Sequence, residues 1–260
     1  MRIPLYQVDA FAKNIFEGNP AAVCPLDHWL DEAVMQAIAA ENNLSETAFF
    51  VATSDDAADL RWFTPRAEVD LCGHATLASA HVWFRHLGHA GPEVTFRTRG
   101  GILRVVRTDH GLQMDFPALK TVSCETPPDL CMALGARPAE VLRGRDLIAI
   151  FDDERQIREL TPDFAAIAKL DSLGVVITAP GQGCDFVSRC FFPSVGVDED
   201  PVTGSAHCGM APYWAKRLNR NRLSARQLSR RGGSMHCEVR GDRVLLEGKT
   251  VDFLCGEITL

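Results

Sequence analysis

The chain has 260 residues, of which 46% are hydrophobic, enough for a sizeable core in one or two domains. A net charge of −7 and a pI of about 5.6 give no basic face, so nucleic acid is not expected as a partner. There is no long apolar run that would span a membrane and no signal peptide, which together predict a cytoplasmic protein.

The nine cysteines are scattered, odd in number and without a C-x-x-C pair. In a long chain with no export signal this pattern predicts reduced, mostly buried thiols rather than disulfides. Cys72 with His74 and His207 with Cys208 are the closest pairs of possible metal ligands, but no cluster has a known ligand spacing. We therefore predict no metal site.

The first half of the chain alternates short apolar runs with turns. Strands are predicted at Ile3 to Phe11, Ala21 to Cys24, Ala48 to Val51, Leu60 to Phe63, Val94 to Arg97, Ile102 to Arg107 and Leu112 to Phe116. One helix is predicted to open at Asp31, and a longer one to run from Gly73 to about Leu87. A polar, turn-rich stretch follows, and it places the boundary between a first lobe, 1–117, and a second, 118–252.

The second half repeats this style. The predicted elements are a helix at Asp129 to Leu134, a strand at Leu147 to Phe151, a helix start at Thr161-Pro162-Asp163, strands at Gly174 to Ala179 and Asp185 to Phe192, a helix from Gly204 to about Leu218, and strands between Ser234 and Leu260. Many short strands with a single long helix in each half predict an α+β fold, each half a strongly curved sheet wrapped around its helix.

The loop before the second long helix is rich in carboxylates. Asp198, Glu199 and Asp200 precede it, and Thr203 or Ser205 can cap the helix. A helix N-terminus can hold a small anion, on which a nearby carboxylate could move a proton. Taken alone, however, the stretch is better interpreted as an ordinary acidic loop with a capped helix.

The stretch is not alone, because the first half contains an echo of it. Aligning Gly73 with Gly204 superimposes three further identical pairs: Ala75 with Ala206, Ala80 with Ala211, and Trp83 with Trp214. A phenylalanine and a proline turn precede both helices. The match predicts an internal duplication with a period of about half the chain.

Glu46 lies where a loop enters the apolar strand Ala48 to Val51. A surface glutamate would be unremarkable, but a carboxyl group at the entrance to a buried strand is expected to be partly buried. Such an environment is typical of a general acid or base.

Five motifs, in this order along the whole chain, resemble the PhzF-like proteins, the phenazine-biosynthesis isomerase family. They are Asp9-Ala10-Phe11, Gly18-Asn19-Pro20-Ala21-Ala22-Val23, Asn43-Leu44-Ser45-Glu46-Thr47, Cys72-Gly73-His74-Ala75-Thr76 and Asp200-Pro201-Val202-Thr203-Gly204-Ser205-Ala206. The resemblance implies the diaminopimelate-epimerase fold, with two pseudo-symmetric lobes, each a barrel-like sheet around a central helix, and an active site in the cleft between them. It also implies a homodimer and a last strand, about 253–260, that returns to the first lobe.

The family member that names the group moves a proton between carbons of a dihydro-hydroxyanthranilate ring without cofactor or metal. The resemblance therefore implies no cofactor here and a small-molecule carboxylate as substrate. Its acid/base glutamate matches Glu46, and three further cleft residues match His74, Asp200 and Ser205. We also predict that Asn19 and the backbone at Gly73 and Gly204 bind substrate.

Two alternatives stay open. Racemases and epimerases of this fold use two thiols, one from each lobe, and Cys72 stands where one of them would be expected. The other lobe has Thr203 before Gly204 and no cysteine, which disfavours a two-thiol mechanism, although Cys72 could act as a lone acid. The second alternative is a non-catalytic small-molecule binder that retains the cleft.

Overall fold

The computed structural model describes residues 1–260. Its six α-helices are α1 (Glu32–Asn42), α2 (Gly73–Arg85), α3 (Pro128–Leu134), α4 (Glu154–Glu159), α5 (Phe164–Ile167) and α6 (Gly204–Leu218), with a 3₁₀ turn at Pro193–Val195. Its first nine strands are β1 (Arg2–Ala10), β2 (Asn19–Leu26), β3 (Glu46–Ser54), β4 (Ala57–Phe63), β5 (Glu68–Val69), β6 (Glu93–Thr98), β7 (Gly101–Thr108), β8 (Gly111–Pro117) and β9 (Val122–Cys124). The remaining nine are β10 (Glu140–Arg143), β11 (Leu147–Ile150), β12 (Val175–Pro180), β13 (Phe186–Phe192), β14 (Val197–Asp200), β15 (Arg222–Gln227), β16 (Gly233–Arg240), β17 (Arg243–Gly248) and β18 (Thr250–Thr259). None of the helices is long and apolar enough to cross a membrane.

The chain folds into two compact units. The first comprises Met1–Asp115 and Glu247–Leu260, and the second Phe116–Leu246. In the first unit β1 lies between β18 and β2, antiparallel to both. From β2 the pairing continues parallel to β3, antiparallel to β4, parallel to β6 and antiparallel to β7. Strand β5 pairs with the edge of β4 just before α2 begins.

The second unit has the same alternation of parallel and antiparallel strand pairs as the first. Strand β10 pairs antiparallel with β11, β11 parallel with β12, β12 antiparallel with β13, β13 parallel with β15, and β15 antiparallel with β16. The short strand β14 pairs with β13 just before α6 begins, as β5 does with β4 before α2. Two units with one order of parallel and antiparallel pairs confirm the predicted duplication and the α+β class.

The long helix of each unit lies in its core. Every residue of α2 from His74 to Phe84 is buried, and so are most residues of α6. A helix buried around its whole circumference needs small side chains, which allow strands to approach it closely, and α2 supplies Ala75, Ala78 and Ala80. Both helices begin at the glycine that the repeat predicts.

Two of the differences from the sequence-based prediction concern helices. The helix start expected at Thr161-Pro162-Asp163 lies two residues later, because Asp163 is the cap and its carboxylate accepts the Ala166 N–H. The prediction also missed α4, which opens with a reciprocal capping box between Asp153 and Gln156.

Candidate active site

Glu46 is the first residue of β3 and lies beside Ala21 of the parallel strand β2. The residue before it, Ser45, donates a hydrogen bond of 3.3 Å from its hydroxyl to Asn19 Oδ1. Asn19 is fully buried at the start of β2. The structure thus brings the predicted substrate-binding residue Asn19 into the immediate surroundings of Glu46.

The turn that leads into Asn19 requires glycine. Gly18 has a φ of +70°, and a Cβ built there would lie 2.2 Å from the carbonyl oxygen of Ala10. Any other residue at this position would therefore hold a strained left-handed backbone conformation, and its Cβ would clash with the backbone of Ala10. This explains why glycine precedes Asn19 in the motif.

The centre of the first unit's site is a chain of three side chains. His74, the second residue of α2, lies with Nε2 3.0 Å from Glu46 Oε2. Its other nitrogen, Nδ1, lies 3.5 Å from Cys72 Sγ. Only 8% of the His74 side chain and 17% of the Glu46 side chain is exposed. The geometry of the His74–Glu46 contact is that of an ion pair rather than of a straight hydrogen bond, and neither of the two atoms has a hydrogen-bond partner elsewhere.

The three groups shift one another's protonation. Burial, reinforced by the charge of Glu46, raises the pKa of Cys72 to about 11, although His74 opposes the shift. Burial alone lowers the pKa of His74, but the contacts with Cys72 and Glu46 raise it well above its usual value. At neutral pH Cys72 is therefore a thiol, and the contact with Glu46 favours an imidazolium at His74.

Glu46, Cys72 and His74 also have ligand atoms within 4.8 Å of one another. However, the thiol meets Nδ1 and the carboxylate meets Nε2, so that the imidazole ring stands between them. Each imidazole nitrogen binds a metal ion through a single lone pair. An ion shared by all three residues would need the thiol, the carboxylate and one ring nitrogen on the same side of the ring. The arrangement suits proton transfer along the chain better than metal binding.

In the second unit, the predicted residues gather before α6. Thr203 stands at the N-cap position, but neither it nor Ser205 caps the helix with its side chain, so that part of the prediction was wrong. The Thr203 hydroxyl instead donates to Asp200 Oδ2. Gln227, the last residue of β15, accepts the Thr203 N–H at 2.9 Å and donates to the Asp200 carbonyl at 2.7 Å. Gln227 thus fixes the loop that carries Asp200.

Ser205, in the first turn of α6, accepts a hydrogen bond of 3.0 Å from Arg145 Nη2. The same guanidinium pairs with the buried carboxylate of Asp146 at 2.7 Å. The structure therefore adds Arg145 and Gln227 to the predicted set. No sequence signal could have found them, because neither Arg145 nor Gln227 lies in a recognisable motif and 60 residues separate Arg145 from Ser205.

The structure places Asn19, Glu46, Gly73 and His74 in one group in the first unit, and Asp200, Gly204 and Ser205 in another in the second. Gly73 and Gly204 are the first residues of their helices. That the two groups serve one substrate stays a prediction.

Comparison with known structures and sequences defines the class of this protein. A structure of the PhzF phenazine biosynthesis family from Enterococcus faecalis matches with a TM-score of 0.98 and 48% identity, with both chains covered completely. A probable proline racemase from Agrobacterium radiobacter, only 13% identical, matches with a TM-score of 0.64 over 99% of this chain and 93% of its own, which shows the fold alone. The protein thus has the diaminopimelate-epimerase-like fold.

The sequence comparisons agree. The family model described as "Phenazine biosynthesis-like protein" matches residues 8–256. An uncharacterized isomerase of Pseudomonas aeruginosa is 54% identical over 260 residues, with both chains covered completely. The chain belongs to the phenazine biosynthesis-like, or PhzF, family and is an enzyme of the isomerase class. The resemblance read from the motifs is confirmed.

Proposed function

We propose that this enzyme moves a proton between carbons of a small cyclic carboxylic acid without a cofactor, with Glu46 as the general acid/base. The observation that carries the proposal is the mostly buried pair of Glu46 and His74. A carboxylate held beside an imidazole can take a proton from carbon, and the positive charge at His74 stabilises the anion that results. General acid–base catalysis of this kind accelerates a reaction roughly 10²- to 10⁴-fold.

The reaction is balanced within the substrate. Glu46 removes a proton from one carbon, the electron pair shifts through the unsaturated system, and the protonated carboxyl returns the proton to another carbon. In this proposal His74 and Asp200 hold and polarise the substrate, while Asn19 and Ser205 and the N–H groups at Gly73 and Gly204 bind its polar groups. Backbone N–H groups at a helix start suit a carboxylate because they are unpaired and carry partial positive charge.

The racemase alternative requires Cys72 as a thiolate base. With its pKa raised to about 11 by burial, the thiol stays protonated at neutral pH. It could give a proton but not remove one, which favours the carboxylate. The homodimer and the cytoplasmic location stay predictions, testable by sedimentation and by cell fractionation.

The test has two stages. A thermal-shift screen of small unsaturated cyclic carboxylates first finds a ligand, because a molecule that binds only the folded state raises its melting temperature. Incubation of that ligand in heavy water then measures exchange of its carbon-bound proton. We expect exchange with the wild-type protein and a loss of about 10²- to 10⁴-fold in Glu46→Gln, with ligand binding retained. Glu41→Gln, at an exposed position, is the matched control. Unchanged exchange in Glu46→Gln would contradict the proposal, and no binding by any carboxylate would favour a different substrate class.

A further inference from the structure

A second cluster of possible ligands lies at the other end of α2, apart from Glu46 and His74. It consists of His81 in α2, His86 directly after it, and Asp252 in β18. His81 is seven residues beyond His74, which places it roughly 10 Å further along the helix axis. The cluster is therefore separate from the proton-transfer chain.

The two imidazole rings converge on a single carboxylate oxygen. His81 Nε2 lies 2.9 Å and His86 Nε2 2.8 Å from Asp252 Oδ1. Ligand atoms around a tetrahedral Zn²⁺, at bond lengths of 2.0–2.1 Å, are about 3.3 Å apart. All the ligand atoms lie within 4.8 Å of one another, so a small widening of the two N–O distances would make room for an ion bound to all three atoms.

The outer contacts of the cluster are those that orient metal ligands. His81 Nδ1 lies 2.7 Å from Thr250 Oγ1, and a hydroxyl can accept from Nδ1–H, which leaves the Nε2 lone pair for an ion. Arg85 Nε lies 3.0 Å from the other carboxylate oxygen of Asp252, so Oδ1 alone faces the two rings. His81 Nδ1 and Asp252 Oδ2, the atoms that face away from the centre of the cluster, therefore both have partners.

The cluster is accessible from solvent. A surface pocket of about 520 Å³ borders His81, Arg85 and Thr250. His86 and Asp252 keep 22% and 30% of their side chains exposed, which allows a water molecule to complete the coordination. Sequence spacing could not reveal the set, because 171 residues separate His81 from Asp252.

We propose that His81, His86 and Asp252 bind one zinc-like divalent transition-metal ion. Two imidazoles and one carboxylate favour zinc and its neighbours over magnesium or calcium, which take oxygen ligands. The ion links the end of the central helix to β18, the strand that returns to β1. Its role is to stabilise the first unit, and the reaction proceeds without it.

Titration of the metal-free, 260-residue protein with Zn²⁺ in a calorimeter tests the proposal. We expect one ion per chain and a melting temperature about 5 °C higher at a hundredfold excess over Kd. His86→Gln, at the more exposed of the two histidines, should weaken binding at least about 10-fold, Asp252→Asn similarly, and His28→Gln, at an exposed site, not at all. Circular dichroism of the metal-free variants checks that they fold.

Substitution with Co²⁺ separates this site from the other candidate. Co²⁺ at His81, His86 and Asp252 should show d–d bands without a thiolate charge-transfer band. Absence of binding, binding unchanged in both His86→Gln and Asp252→Asn, or binding that is lost in Cys72→Ser would each overturn the proposal. The last result would place the ion at Glu46, Cys72 and His74 instead.

Discussion

Arg145 donates a hydrogen bond of 3.0 Å from Nη2 to the hydroxyl of Ser205, at the start of the central helix of the second unit. The contact places a guanidinium, itself paired with Asp146, at a helix N-terminus that no side chain caps. Both features favour an anion, and they act at the same place. If Ser205 binds a substrate carboxylate as proposed, Arg145 strengthens that binding.

Arg145→Gln should therefore weaken binding of a carboxylate ligand about 10- to 100-fold, the usual worth of a charged hydrogen bond. We expect KM to rise more than kcat falls, and Arg145→Lys to restore part of the loss because it retains the charge. Arg143→Gln is the matched control, since Arg143 contacts Asp171 and not Ser205. An unchanged KM in Arg145→Gln would show that the guanidinium serves only Asp146.

The protonation of His74 predicts how stability depends on pH. Its pKa is raised in the folded state, so its contribution is fully present below the unfolded value of about 6.5 and is lost as the pH rises through the folded value. The difference in unfolding free energy between wild type and His74→Gln should therefore shrink from pH 6 to pH 9. Urea unfolding at several pH values measures it.

His207 provides a comparison of opposite sign. It is fully buried in α6, donates from Nδ1 to the Thr203 carbonyl at 2.8 Å, and burial lowers its pKa to about 4. Its folded state resists protonation, so stability is lost as the pH falls from about 6.5 to about 4. That loss should be reduced in His207→Gln. If the difference in unfolding free energy between wild type and His74→Gln grew toward alkaline pH, the assignment of a raised pKa to His74 would be wrong.

Cys72→Ser distinguishes the two mechanisms. A thiol with a pKa of about 11 is not needed as a base when Glu46 transfers the proton. We expect turnover to stay within about 10-fold of the wild type, since serine can still hydrogen-bond His74 Nδ1. Steady-state kinetics on the folded variant measure it. Complete loss of turnover would favour the racemase hypothesis.

The parts of the fold that the sequence predicts are those with local or repeated signals. The helix starts at Gly73 and Gly204 follow from a glycine after a proline turn, and the duplication follows from residues aligned with them. The order of parallel and antiparallel pairs did not follow from the sequence, because pairing depends on which strands meet after the helices fold back. The helix α4 did carry a local signal, the Asp153 and Gln156 capping box.

Contacts around the candidate site were predicted where side chains are close in sequence and missed where they are not. Cys72 and His74 lie in one motif, and Glu46 in another, but only β3 and α2 together bring the carboxylate to the imidazole. Thr203 or Ser205 was predicted to cap α6, because both side chains are common helix caps. The Thr203 hydroxyl bonds Asp200 instead, and the Thr203 N–H is taken by Gln227 from a strand further along the chain. The contacts with Asp200 and Gln227, rather than the local sequence, therefore determine which hydrogen bonds Thr203 makes.

Gln227 is predicted to be the residue on which the Asp200 loop depends. It is 1% exposed, and its amide satisfies the Thr203 N–H and the Asp200 carbonyl at once. Gln227→Leu keeps the size but removes the acceptor of the Thr203 N–H and a donor to the Asp200 carbonyl. A group that stays buried without a partner costs about 1–3 kcal/mol. Gln227→Glu keeps the acceptor for Thr203 but turns an oxygen toward the Asp200 carbonyl and buries a charge.

Urea unfolding of both variants measures the cost, with Gln182→Leu at an exposed position as the control. We expect both Gln227 variants to lose stability and the control to stay within about 0.5 kcal/mol of the wild type. Since the loop carries Asp200, ligand affinity should fall in Gln227→Leu even under conditions where the protein is fully folded. Full stability with unchanged affinity in that variant would mean that water replaces the amide, and that Asp200 is positioned by its other contacts rather than by Gln227.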